Sequence, residues 1–147
     1  MAHTYINSHF HAIFSTKDRQ PLLTPDLRRS LWPYLGGIAR RYGFKVIESG
    51  GVDDHVHTLI SLPATMDLAR ALQLLKGGSS KWIRETHKDF AWQTGYAAFA
   101  TSISLLDKTI DYIRRQEQHH KKLDFKTEYI RFLKANHIDY DPRYVFD

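Results

Sequence analysis

Residues 54–63 read DHVHTLISLP, and this stretch predicts a strand of the fold. Side chains alternate along a strand, so His55 and His57 share one face while Val56 points the other way, into the core. Pro63 cannot donate a ladder hydrogen bond and closes the strand. The stretch therefore predicts a strand over 54–62 that presents two imidazoles on a single face.

Outward from this strand, apolar periodicity and turn residues predict the remaining elements. Thr24 is a candidate N-cap with Pro25 at the first helical position, and Gly43 marks the end of that helix. The segment 49–51, Ser-Gly-Gly, reads as a turn, and Ser104 resembles the start of a capping box. The predicted elements are strand 3–16, helix 25–42, strand 44–48, strand 54–62, helix 67–86, strand 95–102, helix 104–120 and helix 125–136.

The order of these elements is strand, helix, two strands, helix, strand, helix. It is the split βαβ pattern of ferredoxin-like folds and predicts an α+β protein: a βαββαβ antiparallel sheet with helices on one face, plus C-terminal helices. The pair Gly77-Gly78 falls inside a predicted helix, where each glycine costs about 1 kcal/mol relative to alanine. Either the helix breaks there, or another group approaches its backbone closely.

Composition narrows the classes of function. The chain has 147 residues, 42% of them hydrophobic, which suits one packed domain. It has no cysteine, which excludes disulfides, zinc-thiolate sites and thiol nucleophiles. No secretory signal or apolar run long enough for a membrane span is present, so we expect a cytoplasmic protein. The net charge of +5 favours a polyanionic partner, although a basic soluble domain without one would have the same charge.

The histidine pair on this predicted strand could hold a metal ion. Two imidazoles on one face bind a divalent cation and leave positions open for substrate oxygens. A second pair, His9 and His11, occurs in the first strand, and either pair could equally line a half-exposed strand face. Spacing alone does not decide between these alternatives.

Tyr112 and Gln116 form a second candidate group. They are four residues apart on a predicted helix, so they share one face. A phenol with a pKa near about 10 is a weak nucleophile without help, but a divalent ion can polarise a phosphodiester for its attack. A phosphotyrosine link retains the reactivity of the bond it replaces, which allows cleavage and later rejoining. Packing on an amphipathic helix is the plainer explanation for this tyrosine.

Taken together, these residues resemble a known family. The strand 54–63, followed by YIRRQ at 112–116, is similar to the HUH-type single-tyrosine transposases of single-strand insertion sequences, relatives of which are the REP-associated tyrosine transposases. Four further segments of the chain resemble that family in the same order: FSTKDR at 14–19, LKGGSS at 75–80, WQTGY at 92–96 and QEQHHK at 116–121.

The resemblance implies a specific reaction and site. Tyr112 would cleave single-stranded DNA, leaving a 5′-phosphotyrosine and a free 3′-hydroxyl, and would later rejoin the strand. His55 and His57 would bind Mg²⁺ or Mn²⁺ with Gln116 as third ligand, whereas His9 and His11 would not be the metal pair. The partners would be DNA with hairpin ends and a second copy of the chain. In that homodimer the tyrosine helix of one subunit would complete the site of the other.

The same resemblance organises the chain as one domain, 1–147. A sheet core with the metal site would span 1–103, and the tyrosine helix with a helical tail would span 104–147. The main alternative is a domesticated, non-catalytic binder of DNA or RNA hairpins. A nickase of the replication or conjugation type is a third hypothesis, but such chains are longer and differently ordered.

Basic and hydroxyl side chains predict where DNA phosphates bind. The candidates flank the first strand and the glycine pair, and solvated surface turns would look the same. At the end of the tyrosine helix, Lys121 and Lys122 are explained by the helix dipole alone, while His119 shares the face of Tyr112. The predicted DNA-binding residues are Lys17, Arg19, Lys76, Ser79, Ser80 and Lys81.

Overall fold

A computed structural model describes residues 3–147, which form a four-stranded antiparallel sheet with helices on both faces. The strand order is β2-β3-β1-β4, the ferredoxin-like arrangement that the sequence predicts. The elements are β1 (His9–Ser15), α1 (Pro25–Tyr42), β2 (Lys45–Gly51), β3 (His55–Ser61), α2 (Leu68–Ile83), β4 (Ala97–Ala100), α3 (Leu106–Arg114), α4 (Gln116–His119) and α5 (Phe125–Ala135), with short 3-10 turns at Lys17–Arg19 and Ile103–Leu105.

The main core lies between one face of the sheet and the helices α1 and α2. Strand alternation supplies it with Ala12 and Phe14 from β1 and with Val56 and Ile60 from β3, all of them buried. The predicted inward direction of Val56 is therefore confirmed. Because successive side chains of a strand alternate, the intervening residues of β1 and β3 point to the opposite face.

The opposite face carries the imidazoles and is covered by the C-terminal third of the chain. A second, smaller core joins Ile13 and Phe99 of the sheet to Phe125 and Leu133 of α5. Ile13 pairs directly with His57 across the ladder between β1 and β3, so the imidazole emerges beside this core. The fold thus sets the strand histidines beneath the C-terminal helices.

Helix ends follow the chemistry of their capping residues. Thr24 accepts a hydrogen bond from the Leu27 amide at 3.2 Å, and Gly43 ends α1 in the left-handed region with a φ of 84°, both as predicted. Asp67 caps α2 by accepting from the Arg70 amide at 2.7 Å. Asp124 caps α5 in the same way through the Thr127 amide at 2.9 Å.

The predicted helix 104–120 is wrong as a single element. The chain first makes the 3-10 turn Ile103–Leu105, then α3, and then breaks at Arg115, whose φ of −96° and ψ of 18° are not helical. No capping box forms, because the Ser104 hydroxyl contacts the Ser102 hydroxyl at 3.1 Å instead of a helix amide. The short helix α4, which contains His119, follows this break, and His120 comes directly after it.

The structure corrects the prediction at one glycine pair and decides between the two alternatives at the other. Residues 49–51 belong to β2, so the predicted turn there is wrong, and the chain reverses at 52–54. The helix α2 runs without interruption through Gly77 and Gly78. A Cβ atom on Gly78 would lie 2.9 Å from the Cδ1 atom of Ile38, so close packing of α1 on α2 explains this glycine.

The remaining predicted ranges need only shorter ends. The first strand pairs from His9, not from residue 3, and the last strand is confined to Ala97–Ala100. Across residues 3–147, none of the helices combines the length and the apolar character that a membrane span requires.

Candidate metal and tyrosine site

Three imidazoles surround one carboxylate oxygen on the covered face of the sheet. The Glu128 Oε1 atom lies 2.9 Å from His57 Nε2, 3.0 Å from His120 Nε2 and 3.4 Å from His55 Nε2. The His55 and His120 Nε2 atoms are themselves 3.1 Å apart. Glu128 is only 1% exposed, so this cluster lies inside the protein.

The protonation of His55 indicates what such a cluster can bind. Its Nδ1 atom donates to the Asp54 carboxylate at 2.7 Å, which leaves the Nε2 lone pair facing Glu128 in the neutral ring. Two lone pairs at this separation repel, so a proton or a cation has to lie between them. Burial acts to lower the pKa of His55, but hydrogen bonds to Asp54 and Glu128 prevail and raise it.

The donor set of this cluster fits a divalent cation. His55, His57, His120 and Glu128 each offer one ligand atom, and these atoms all lie within 4.8 Å of one another. Ligands that are each about 2.1 Å from one ion lie roughly 3 to 4 Å apart. The donor atoms of His55, His120 and Glu128 already have such separations, 3.0 to 3.4 Å, and the most widely spaced donors would move slightly closer around an ion. The Asp54 carboxylate behind His55 is also the kind of outer partner that orients a metal-bound imidazole.

His57 has an outer partner of its own, His11 of β1. The His11 Nε2 and His57 Nδ1 atoms are 2.7 Å apart, and both rings are buried. Burial lowers the pKa of His57 to about 4, despite the hydrogen bond to Glu128, and lowers the pKa of His11 to about 3. Both rings are therefore neutral near pH 7, and a neutral imidazole is the form that ligates metals.

Tyr112 lies at the edge of the same cluster. Its hydroxyl donates a short hydrogen bond to Glu128 Oε2 and lies 3.0 Å from His119 Nε2. Its ring centroid is 5.8 Å from that of His57 in the same chain. Burial and the adjacent carboxylate raise the pKa of Tyr112, so the phenol is protonated in this environment. The side chain is half-buried and reaches an open cleft.

A glycine of β2 permits the close approach of the tyrosine helix. Gly50 pairs with His57 across the sheet, and a Cβ atom at Gly50 would lie 2.3 Å from the carbonyl oxygen of Ile113. No side chain fits in that gap. Gly50 thus lets α3 lie directly against the sheet, with Tyr112 next to the histidines.

Gln116, the predicted third ligand, is buried just after the break at Arg115. Its Nε2 group donates to the backbone carbonyl of Tyr112 at 3.3 Å. Its Oε1 atom is buried and finds no hydrogen-bond partner among residues 3–147. An unpaired buried carbonyl oxygen is costly, which suits an atom that accepts from another group when the site is complete.

Three of the four predicted phosphate-binding residues of α2, namely Lys76, Ser79 and Ser80, form hydrogen bonds within the protein. Lys76 donates to three backbone carbonyls, those of Gln93, Thr94 and Gly95, at 2.7, 3.0 and 3.1 Å. Burial lowers its pKa to about 8. Lys76 therefore fastens the segment before β4 to α2 and has little capacity left for a phosphate.

The two serines of this group do not face solvent either. The Ser79 hydroxyl is buried, donates to Leu75 O at 2.6 Å and accepts from Trp92 Nε1 at 2.9 Å. Ser80 is buried and donates to Gly77 O at 3.1 Å. Both hydroxyls are thus engaged within the protein, and direct DNA contact from these serines stays a prediction.

The remaining predicted DNA-binding residues lie at the surface. Lys17 and Lys81 are exposed. Arg19 is half-buried, its guanidinium 5.5 Å from the Phe146 ring centroid and 3.4 Å from the Phe146 carbonyl oxygen. The predicted role of these three side chains in DNA binding stays a prediction.

Sequence reasoning missed two members of the cluster, His120 and Glu128, and undervalued His119 and His11. The sequence does contain a signal for Glu128. It is an acidic residue on the apolar face of α5, the face that it shares with Phe125, Tyr129 and Phe132. A carboxylate on a buried face needs partners, and histidines are the nearest candidates.

The chain matches the family profile described as "Transposase IS200 like" over residues 4–116. Two curated relatives, the transposases for insertion sequence element IS200 of Salmonella typhimurium and Salmonella typhi, are each 26% identical over 129 residues. The alignment covers 82% of this chain and 84% of each relative.

Two solved structures share the fold. A candidate transposase of Deinococcus radiodurans R1 superposes with a TM-score of 0.63 at 21% identity, covering 79% of this chain and 96% of that one. A REP-associated tyrosine transposase bound to a REP hairpin superposes with a TM-score of 0.60 at 18% identity, covering 82% and 73%. His119, His120 and Glu128 lie beyond the residues that the family profile matches.

Proposed function

The chain belongs to the IS200-like transposase family, and from that premise we propose that it cleaves and rejoins single-stranded DNA through Tyr112. A transposase of this family is a DNA-processing enzyme of an insertion sequence. The finer proposal is that the nucleophile is a phenol and that a divalent metal ion assists it. In this proposal the segment 104–147 completes a site on the sheet core 1–103, and the chain acts as one unit.

One contact carries this proposal. The carboxylate of Glu128 joins the histidine cluster through Oε1 and the Tyr112 hydroxyl through Oε2. The candidate nucleophile and the candidate metal ligands are therefore separated by a single carboxyl group. A DNA phosphate that reaches Tyr112 is then also within reach of a cation held by the imidazoles.

The proposed metal site consists of His55, His57, His120 and Glu128, with Gln116 as a further oxygen ligand. The ion, when bound, stabilises the negative charge that develops on the phosphate in the transition state. Mg²⁺ and Mn²⁺ are the expected ions. Because three of the donors are imidazoles, Mn²⁺ should bind more tightly than Mg²⁺, which prefers oxygen ligands.

The chain's own residues account for the proton in the cleavage step. Tyr112 passes its hydroxyl proton to Glu128 Oε2, the acceptor already in place, and its oxygen bonds to phosphorus. The bond from phosphorus to the 3′-oxygen breaks, and that oxygen takes the proton, which leaves a free 3′-hydroxyl and a 5′-phosphotyrosine. Rejoining runs through the same steps in reverse, so no net proton or nucleotide cofactor is consumed.

The proposed substrate is single-stranded DNA with hairpins near the ends of the element. The REP-associated relative is bound to a REP hairpin, which supports this class of substrate. A homodimer remains part of the proposal. Since Tyr112 and His57 of one chain already lie side by side, exchange of tyrosine helices is not required to assemble the site.

The test uses single-stranded oligonucleotides from the genomic flanks of the gene, incubated with the protein and Mn²⁺ or Mg²⁺. We expect a covalent protein–DNA adduct that EDTA prevents and that Tyr112→Phe abolishes. An adduct that persists in Tyr112→Phe would assign the nucleophile to another residue. His57→Ala should abolish the adduct while hairpin binding stays measurable, and equal loss of both would indicate a folding role.

The alternative of a non-catalytic hairpin binder makes the opposite prediction. Such a protein would bind hairpins equally well in EDTA and would form no adduct with any flank sequence. The joint presence of a tyrosine, three imidazoles and a carboxylate in one cluster favours the enzyme.

A further inference from the structure

A positively charged cleft opens beside Tyr112, between α4 and α5. Two depressions of about 580 and 260 Å³ adjoin here and share His119, Leu123 and Arg131 in their walls. We call the two together the α4–α5 cleft, and its cationic side chains are Arg115, Lys121, Lys122 and Arg131.

Positive charge dominates the outer part of this cleft. Lys121, Lys122 and Arg131 are exposed, and Arg115 is exposed and paired with Asp111 at 3.2 Å. The only carboxylate in the walls among residues 3–147 is that of Glu128, which the imidazole cluster already engages. The outer cleft is therefore suited to a polyanion.

The inner part of the cleft is apolar and ends at the candidate nucleophile. Its walls comprise Leu123, Phe132 and Ala135, with Tyr112 and Glu128 at its floor. Phosphates on one side and an apolar wall on the other match the two faces of a single-stranded nucleotide, a charged backbone and a flat base.

We propose that the α4–α5 cleft holds the stretch of single-stranded DNA next to the scissile phosphate. The basic residues bind the flanking phosphates, and an unpaired base packs against Leu123 and Phe132. This proposal rests on the proposed function for the identity of the substrate. Apart from Arg115, the residues to which it assigns substrate binding lie within 118–135 and follow the segment matched by the family profile.

Binding in EDTA tests the cleft separately from cleavage. The probe is a fluorescein-labelled single strand without secondary structure, compared with a blunt hairpin of the same length, both followed by fluorescence anisotropy. The cleft variant is the triple substitution Lys121→Ala, Lys122→Ala and Arg131→Ala. The control, Arg40→Ala, Arg41→Ala and Lys88→Ala, removes the same charge from exposed positions in α1 and after α2.

We expect the cleft variant to bind the single strand roughly 10- to 100-fold more weakly at 100 mM salt, with hairpin binding and the control variant little changed. The slope of log affinity against log salt should fall by about 2, since each phosphate contact to a single strand contributes about 0.7. The proposal would be overturned if the cleft variant bound the single strand as tightly as the parent protein does. It would also be overturned if the cleft and control variants lost affinity equally, or if the cleft variant lost affinity equally for the single strand and the hairpin.

A second measurement addresses the apolar part of the cleft. An abasic site moved stepwise along an oligonucleotide that the parent protein cleaves should weaken binding several-fold at one or two adjacent positions. Uniform affinity across the series would remove the base from the proposal. Because the anisotropy measurement requires no cleavage, the cleft can fail while the Tyr112 adduct forms, and the cleft can bind the single strand while no adduct forms.

Discussion

Glu128 connects the histidines to the tyrosine and is the residue on which the site geometry most depends. Its two oxygens serve different partners, the imidazoles through Oε1 and the phenol through Oε2. Burial acts to raise the pKa of this carboxyl. Hydrogen bonds from His120, His55 and His57 outweigh that effect and hold the pKa well below its usual range. The group is thus an anion in the resting site, held in position from several sides, and in the proposed reaction it carries the Tyr112 proton only during the cleavage step.

Glu128→Gln should weaken Mn²⁺ binding by more than about 10-fold, because the amide keeps the shape of the side chain but removes its charge. Isothermal titration calorimetry measures this, with circular dichroism as the check on folding. Glu85→Gln, which changes an exposed carboxylate at the end of α2, is the matched control. Unchanged Mn²⁺ affinity in Glu128→Gln would remove this residue from the metal site.

The sequence predicts some residues of this site but not all of them. Strand alternation alone puts His55 and His57 on one face, and the structure brings Tyr112 to them. Glu128 could not be placed in the same way, because its position depends on how α5 packs across the sheet, more than sixty positions along the chain from His57. Ser79 shows the converse: a hydroxyl that looks like a phosphate donor in the sequence belongs to a Trp92 hydrogen bond in the fold.

Strand β2 and helix α3 approach each other more closely than the apolar periodicity of the sequence predicts. The contact at Gly50 is a backbone-to-backbone approach, with the Ile113 carbonyl where a side chain would otherwise be. Because Ile113 follows Tyr112 directly, the strand sets the height of the phenol above the sheet.

Gly50→Ala should therefore lower the rate of adduct formation by roughly 100-fold, the effect expected when a catalytic group is displaced by about 1 Å. Mn²⁺ binding should be retained, since the histidines stay on their strand. Gly37→Ala adds the same methyl group on α1, where the nearest atom to the new Cβ would be Arg40 Nη2 at 3.8 Å, and should leave the rate unchanged. Equal rates in both variants would contradict the coupling.

Element boundaries were predictable where a side chain caps a helix and not where packing decides. Thr24, Pro25 and Gly43 mark α1 correctly, because their chemistry is local. The break at Arg115 has no glycine or proline to announce it, so the sequence reads as one helix through 120. Residues 49–51 predict a turn because glycine is common in turns. In the fold Gly50 belongs to β2, where the absence of a side chain permits the close contact with α3.

The whole molecule places every candidate group of the site in one chain. His57, Tyr112, His120 and Glu128 converge without a second subunit, although the family resemblance implies that tyrosine helices are exchanged in a dimer. The sequence could not distinguish these arrangements, because both use the same residues. From the short distances among these groups within one chain, we propose that the site assembles in cis.

Mixing two inactive variants separates the arrangements. His57→Ala and Tyr112→Phe, co-expressed so that mixed dimers form, should give no adduct, because each chain lacks one half of its own site. Gel electrophoresis of labelled oligonucleotides is the measurement, with the parent protein diluted by either variant as the reference. Adduct formation in the mixture would show that tyrosine and histidines act across the dimer.

The wide spacing of the site along the chain has a consequence for its synthesis. His57 and Glu128 are 71 positions apart, and the groups that follow Tyr112 all come from the last third of the chain. During translation the sheet histidines therefore leave the ribosome well before the residues that complete the site. Nascent and truncated polypeptides carry the strand pair without its carboxylate, so the proposed cleavage activity should arise only when translation of the final helix is finished.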